Sequence, residues 1–252
     1  MEKIKQRILD LENELVPLLQ KKFGKNAITL LASGSCANFD VVLGWSDYDV
    51  VVFVHDRKKI PAIDFRSLEK KYGIQPIQVA VKSWRSFLMR TLGNSNTDRF
   101  VDNLWLVSIR KHYRVLAGKK LIPFIPPMSE LLKRDLGCEL RAEYYHATNV
   151  NPDWNIAMSK SPKRWINCII SLSFLLLIAK GVAVQKKEIP AALAKHYSDF
   201  PGTGLVRKAL AIRATGKIPS VNSPMGRQAK KLLIDFLQIY QTYLFRENLN
   251  KK

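Results

Sequence analysis

The stretch Gly34-Ser35-Cys36-Ala37, followed by Ser46-Asp47-Tyr48-Asp49 and then Val50-Val51-Val52, decides the fold. Residues 27–32 form a short β-prone run ahead of it, and residues 49–54 form a strongly β-branched run at its end. Two predicted strands therefore bracket a loop of small and polar residues.

The loop has the residue types that a metal–nucleotide site requires. A Gly-Ser turn after a strand offers backbone N–H groups and a hydroxyl to phosphate oxygens. Asp47 and Asp49 are two residues apart, so their side chains point to the same face. Together they can hold one or two Mg²⁺ ions, which accept carboxylate oxygens and substrate phosphates as ligands. We therefore predict that Gly34, Ser35 and Ser46 contact a nucleotide; the alternative is a plain turn and a solvated strand start.

The rest of the first half alternates helices and strands. Apolar residues at positions 4, 8, 11, 15, 18 and 19 predict an amphipathic helix over 1–24. Residues 77–82 and 113–118 predict two further strands, and residues 63–72 and 100–110 predict helices. This half is an α/β domain.

The second half reads as a helical bundle. Pro123, Pro126 and Pro127 predict a domain boundary, which gives domains of residues 1–125 and 126–252. Helical periodicity covers residues 128–147, 163–179, 187–197, 204–214 and 223–248. The predicted class is α+β, with a small mixed-sheet domain followed by an α-helical domain.

The charge of the chain is strongly positive. Its 252 residues include 41 Lys and Arg against 21 Asp and Glu, a formal net charge of +20. There are 21 basic and 12 acidic residues up to residue 125, and 20 and 9 beyond it, so the excess is not confined to a tail. Such a surface favours a polyanionic partner such as nucleic acid or an anionic membrane; the alternative is a device for solubility or a compositional bias of the host.

Other features indicate a cytoplasmic protein. Three scattered cysteines fit a reducing compartment rather than a disulfide framework. The amino-terminal residues lack the pattern of a signal peptide. Residues 165–184 are largely apolar, but Asn167, Ser171, Ser173 and Lys180 interrupt them, so we predict a buried central helix and no membrane span.

The motif resembles the signature of the polymerase-β-like nucleotidyltransferase superfamily, whose members transfer a nucleoside monophosphate from an NTP to a hydroxyl. His112-Tyr113-Arg114-Val115-Leu116-Ala117-Gly118 resembles the strand and glycine that close the first domain of the streptomycin/spectinomycin-type aminoglycoside O-nucleotidyltransferases. The helix over 165–179 and Lys186-Lys187-Glu188 resemble the second domain of that group.

The resemblance implies roles for individual residues. Ser35 would bind the triphosphate, expected to be that of ATP, and Asp47 and Asp49 would hold Mg²⁺ as catalytic ligands. Lys186 or Lys187 would reach the nucleotide phosphates; the alternative is a solvated loop lysine.

The chain departs from the family at the third strand. The family places a carboxylate there as general base, and Gln78 stands at that position. An amide cannot accept a proton at neutral pH, so another group or the metal alone must activate the acceptor. Candidate substitutes are Asp98, Asp102, Glu139 and Glu143, each of which can equally be a surface or capping carboxylate.

A second departure concerns the acceptor. Acidic residues precede the apolar helix in the family, whereas this chain has Lys163, Arg164 and Trp165. Cations beside an aromatic ring suit phosphates and a stacked base. We therefore predict RNA, such as transfer RNA, as the acceptor. Further basic residues could extend this surface into a basic track along the RNA backbone. They are Arg207, Lys208, Arg213, Lys217, Arg227, Lys230 and Lys231.

Two alternatives remain open. One is a small-molecule adenylyltransferase of the antibiotic-resistance kind, and the other is a catalytically impaired nucleotide- or RNA-binding module, which Gln78 suggests.

Overall fold

The computed structural model describes residues 2–57, 60–74, 76–92, 102–148, 156 and 159–249, with side chains up to residue 244. The chain forms two compact units, Met1–Leu131 and Leu132–Lys252. The boundary predicted after residue 125 therefore lies within the first unit. Arg110 Nη1 donates a hydrogen bond to the carbonyl oxygen of Ile125 (2.8 Å), which is one contact that ties this segment to the first unit.

The first unit alternates helices and strands, as the sequence predicts. Its helices are α1 (Glu2–Phe23), α2 (Gly34–Ala37), α3 (Arg66–Tyr72), α4 (Trp84–Thr91), α5 (Asn103–Lys111) and α6 (Met128–Leu131). Its strands are β1 (Ala27–Ser33), β2 (Tyr48–Val54), β3 (Ile77–Ser83) and β4 (Arg114–Gly118). The sequence analysis missed helix α4, whose N-terminus is capped by the Ser83 hydroxyl accepting from Ser86 N.

The four strands form one mixed sheet in the order β3-β2-β1-β4. Strand β1 is antiparallel to both β2 and β4, whereas β2 and β3 are parallel. A parallel pair needs a crossover, and α3 lies in that connection. The predicted α+β class with a mixed sheet is confirmed.

Apolar side chains cover both faces of this sheet. On one face, Ile8, Leu11 and Leu15 of α1 are fully buried in one cluster with Leu30 and Val50. The cluster explains the spacing of apolar residues in α1.

On the other face, Phe53 of β2 contacts Phe87 and Trp105, with ring centroids 5.1 Å and 6.0 Å apart. Side chains alternate along β2, so Asp49 belongs to the same face as Phe53, near the strand's amino end.

The second unit consists of helices. They are α7 (Leu136–Thr148), α8 (Pro162–Ala179), α9 (Ile189–His196), α10 (Thr203–Ala214) and α11 (Pro224–Leu249), with a 3-10 turn over Lys186–Glu188. The single helix predicted over 128–147 is wrong, because it is interrupted between α6 and α7. There Asp135 Oδ1 accepts from Cys138 N (3.0 Å), which starts a new helix.

Helix α8 is the centre of the second unit. It packs against α7, α9, α10 and α11. Within the part of the chain that the structure describes, it is the one helix whose length and composition would suit a membrane span, and 61% of it is buried. Its apolar composition is therefore explained by its position in the core of the bundle.

Candidate active site

The end of β1 brings the Gly-Ser turn against the second aspartate of the motif. Ser33, the last residue of β1, is paired with Asp49 of β2. Gly34 follows with φ +60°, a backbone conformation that residues with a side chain rarely adopt. A Cβ placed there would stand 3.1 Å from Asp49 Oδ2. Glycine is therefore needed both for the turn and for the close approach of this carboxylate.

Tyr48 lies between the two aspartates in sequence, and its side chain points to the face of the strand opposite to that of Asp49. Its side chain is fully buried, and its hydroxyl donates a hydrogen bond to Glu12 of α1. Asp47 and Asp49 are half-buried. Within β2 this alternation places Asp49 on the face opposite to Tyr48; Asp47 precedes the strand, and its sharing of that face with Asp49 stays a prediction.

Several hydrogen bonds hold the loop between Gly34 and Asp47. Cys36 Sγ lies 3.4 Å from the carbonyl oxygen of Asp47, and Asp40 N donates to the carbonyl oxygen of Ser35 (2.8 Å). Ser46 Oγ accepts from Val42 N (2.9 Å). The hydroxyl of Ser46 thus closes a turn just before the aspartates, and its contact with a nucleotide stays a prediction. Ser35, at 7% exposure, is buried at the base of the turn.

Gln78 lies beside Asp49 in the sheet. The two residues are register partners in the parallel pair of β2 and β3, and Gln78 is exposed. The position where the resemblance implies a carboxylate is therefore next to Asp49 and exposed. An amide there can donate or accept a hydrogen bond but cannot take a proton at neutral pH.

The candidate substitutes for this base lie in different settings. Asp102 caps α5, since its Oδ1 accepts from Trp105 N (2.6 Å), which is a structural role. Asp98 lies outside the described residues. Glu139 and Glu143 belong to α7 of the second unit. Of these four residues, only Asp102 is a described residue of the first unit, and its carboxylate serves as a helix cap. None of the four is therefore shown as a base beside Asp49.

The remaining predicted site residues belong to the second unit. Lys163 is half-buried and Arg164 is exposed at the start of α8, where the Ser161 hydroxyl accepts from Arg164 N (3.4 Å). Lys186 is half-buried and Lys187 is exposed in the 3-10 turn over Lys186–Glu188. Their roles toward nucleotide or acceptor stay predictions.

Trp165 does not have the role that the sequence predicted. Its side chain is 1% exposed, and its indole Nε1 donates to the carbonyl oxygen of Ile156 (3.0 Å). A buried ring cannot stack on a nucleobase, so Trp165 is a packing residue. Arg213, at 5% exposure, likewise does not belong to an exposed basic track.

The acidic residues fit a metal that is bound together with a nucleotide. Among the described residues, no group of three or more His, Cys, Asp or Glu side chains could hold a metal ion by itself. Asp47 and Asp49, which are half-buried, provide hard oxygen ligands beside the turn that carries Gly34. Mg²⁺ commonly uses one or two carboxylates and completes its coordination with substrate phosphates and water. This donor set fits such an ion.

A buried ionic group behind the turn was missed by the sequence analysis. Glu12 binds the guanidinium of Arg114 as well as the hydroxyl of Tyr48. Burial and the neighbouring Glu12 carboxylate raise the pKa of Tyr48 far above its usual range. Burial lowers the pKa of Arg114, but the hydrogen bond and charge of Glu12 outweigh this, so its pKa is raised. A charged residue on the apolar face of α1, between Ile8 and Leu15, was the available signal.

Comparison with known proteins identifies a solved structure with a similar architecture. No protein-family model matches the chain, and no curated protein matches it by sequence. Among solved structures, spectinomycin adenyltransferase from Enterococcus faecialis, solved with ATP and spectinomycin, superimposes with a TM-score of 0.54. The alignment has 13% identity and covers 91% of this chain and 99% of that one. This chain has the fold of that adenyltransferase.

The shared fold confirms the layout that the Gly-Ser and Ser-Asp-x-Asp motifs indicated. It extends over both units, since nearly the whole of each chain is aligned. At 13% identity the likeness concerns the fold, and it assigns no substrate to this protein.

Proposed function

We propose that this protein is a Mg²⁺-dependent nucleotidyltransferase that moves a nucleoside monophosphate from an NTP, expected to be ATP, to an acceptor hydroxyl. One observation carries the proposal. Gly34 brings the turn after β1 against Asp49, with a Cβ position only 3.1 Å from its Oδ2, and Asp47 precedes Asp49 by two residues. The backbone proposed to bind phosphate and the carboxylates proposed to bind metal are therefore adjacent, where β1 ends beside the start of β2.

Each group has a distinct task in this proposal. When bound, Mg²⁺ supplies charge neutralisation at the phosphates and stabilises the leaving pyrophosphate. Asp47 and Asp49 hold the ion, and the backbone at Gly34 and Ser35 orients the triphosphate. Gln78, exposed beside Asp49, orients the acceptor hydroxyl by hydrogen bonding without removing its proton.

We propose RNA, such as transfer RNA, as the acceptor. The support is the net charge of +20 and the basic side chains that the second unit exposes. They include Arg164, Lys187, Arg207, Lys208, Lys217, Arg227, Lys230 and Lys231. Lys231 Nζ forms an ion pair with Asp235 Oδ2 (2.7 Å), which reduces the contribution of Lys231 to RNA binding. Because Trp165 is buried, these contacts are to phosphates rather than to a base stacked on that ring.

A small-molecule acceptor is the second candidate. The observation in its favour is that the structurally similar adenyltransferase was solved with ATP and spectinomycin. The basic residues Lys163 and Arg164 at the start of α8 argue against a polycationic drug, because like charges repel.

The third candidate is a protein that binds nucleotide or RNA without transferring it. Gln78 motivates this candidate, since it occupies the position of the expected general base.

A labelling experiment separates the three. The purified protein is incubated with Mg²⁺, each α-³²P NTP in turn, and either total RNA or an aminoglycoside panel that includes spectinomycin. The inactive control carries Asp47→Asn and Asp49→Asn, and the matched control carries Asp64→Asn, an exposed aspartate paired with Arg66.

Label on RNA that disappears only in the double variant is the expected result, and it identifies the nucleotide. Label on a drug instead supports the small-molecule candidate. Binding of NTP without label on any acceptor contradicts the transferase proposal and supports the binding module.

A further inference from the structure

A buried ionic network lies directly behind the turn that carries Gly34 and Ser35. Its centre is Glu12 of α1, which is 6% exposed. The carboxylate accepts hydrogen bonds from the Tyr48 hydroxyl and from the guanidinium of Arg114. The network thus joins α1, β2 and β4, elements that are distant in sequence.

Arg114 extends the network into the loop. Its Nη2 donates to the carbonyl oxygen of Cys36 (3.2 Å), which belongs to α2 immediately after the Gly-Ser turn. The guanidinium also lies over the ring of Phe39, 4.5 Å from its centroid. Phe39 has φ 55° and is the one non-glycine residue with positive φ in the described part of the chain. Arg114 therefore contacts the loop at two points, one of which is in an uncommon backbone conformation.

Tyr48 extends the network to the aspartates. It lies between Asp47 and Asp49 in the chain, and its hydrogen bond to Glu12 holds the start of β2 against α1. The same carboxylate is therefore bonded to both sides of the candidate site, to the loop through Arg114 and to the aspartate pair through Tyr48.

We propose that Glu12 is a positioning residue that sets the spacing between the phosphate-binding turn and the Asp47–Asp49 pair. The inference rests on the proposed function, because it concerns the nucleotide site of that function. Stability alone does not account for the network, since apolar residues of similar volume often stabilise a core as well as a buried ion pair does. Directional hydrogen bonds instead specify one arrangement of the loop and the strand.

The chain provides a matched control on the same helix. Glu14 also accepts hydrogen bonds from a cation and a tyrosine hydroxyl, namely Lys71 and Tyr72. Those partners belong to α3, and the group is exposed. Glu14→Gln therefore removes the negative charge from the same kinds of bond without touching the loop or the aspartates.

The test compares Glu12→Gln, Tyr48→Phe and Glu14→Gln in the full-length protein. Three quantities are measured: the Kd for ATP with Mg²⁺ by calorimetry, the Tm, and hydrogen exchange of backbone amides across residues 34–40. Loss of a side chain that orients metal-coordinating residues from outside the coordination shell typically weakens metal binding by about 10- to 100-fold. We expect the Kd for ATP with Mg²⁺ to rise within this range in Glu12→Gln. Tyr48→Phe should show a smaller loss, and Glu14→Gln should bind as the wild type does.

Hydrogen exchange separates positioning from a general loss of stability. We expect faster exchange confined to residues 34–40 in Glu12→Gln and Tyr48→Phe, and no change there in Glu14→Gln. Exchange that rises throughout the first unit in proportion to the fall in Tm would overturn the inference. If Glu12→Gln fails to fold, Tyr48→Phe decides by the same two measurements.

The two proposals fail in different ways. If the wild type binds ATP and the folded Glu12→Gln and Tyr48→Phe variants bind it equally well, the inference alone is overturned. If the wild type itself binds no NTP in the presence of Mg²⁺, the proposed function is overturned and the inference with it.

Discussion

Gly34 and Asp49 approach each other closely: a Cβ at Gly34 would stand 3.1 Å from Asp49 Oδ2, so a side chain there would force the carboxylate to shift. Gly34 also has φ +60°. These two constraints are separable, because the backbone conformation strains any non-glycine residue, whereas the contact affects this carboxylate alone.

Gly34→Ala should therefore weaken Mg²⁺-dependent ATP binding by more than backbone strain explains. Gly24→Ala is the matched control, since Gly24 has φ +54° and open space around a Cβ. Both variants should lose about 1–2 kcal/mol of unfolding free energy from the left-handed conformation. Only Gly34→Ala should raise the Kd for ATP, measured by calorimetry. Equal affinities in the two variants would contradict the role of this close approach.

Gln78→Glu should increase the rate of nucleotidyl transfer. It restores a carboxylate as the register partner of Asp49, where it can accept the proton of the acceptor hydroxyl. General base catalysis typically contributes about 10²- to 10⁴-fold, so kcat should rise by a factor within that range if proton removal limits the wild type. Single-turnover kinetics with labelled ATP measure the change, with Gln78→Asn as the amide control. An unchanged rate would show that deprotonation at this position does not limit transfer.

The three cysteines should differ strongly in reactivity. Cys36 and Cys168 are buried, whereas Cys138 is exposed. Burial, assisted by the charge of Glu143, raises the pKa of Cys168 to about 12, so this thiol stays protonated at pH 8. Titration with a chromogenic disulfide reagent should detect one rapid thiol in the native protein and all three in denaturant. Rapid reaction of two or more native thiols would contradict the packing around α2 and α8.

Glu143→Gln should stabilise the protein at neutral pH. Burial and the neighbouring Glu139 raise the pKa of Glu143 above its ordinary value of 4.5, although His146 opposes this effect. The folded state then binds the proton more tightly than the unfolded state. The wild type consequently loses stability as the pH rises from 4.5 through the raised pKa, and the penalty is complete at higher pH.

Removing the charge removes that penalty, so the stabilisation by Glu143→Gln should be present at pH 7 and should shrink toward zero below pH 4.5. Urea denaturation at several pH values measures it. A stabilisation that does not depend on pH would indicate a packing effect instead.

Local patterns were sufficient to predict most elements of the first unit. The apolar spacing of α1 and the β-branched run of β2 predict the bounds of these elements to within a few residues. Helical and strand periodicity are local properties of the sequence. Predictions were less accurate where a cap decided the boundary. Asp135 starts α7 through a hydrogen bond to Cys138 N, and the apolar periodicity alone continued through it.

The candidate site was predictable in part for the same reason. Gly34, Asp47 and Asp49 are close in sequence and flank two adjacent strands, so their proximity follows from the strand–turn–strand pattern. Trp165 was misinterpreted because its neighbours Lys163 and Arg164 suggested an exposed surface, whereas the helical face that carries Trp165 is buried.

The sequence by itself determined the fold class, the order of most elements and the Gly-Ser and Asp-x-Asp motifs, since each of these depends on residues near one another in the chain. Only the tertiary structure decided that Glu12 binds Arg114, a residue 102 positions away, and that Arg114 in turn holds the loop at Cys36. Such contacts join α1, β4 and the loop through folding of the whole sheet, and no local periodicity reports which charged side chains will meet in its core.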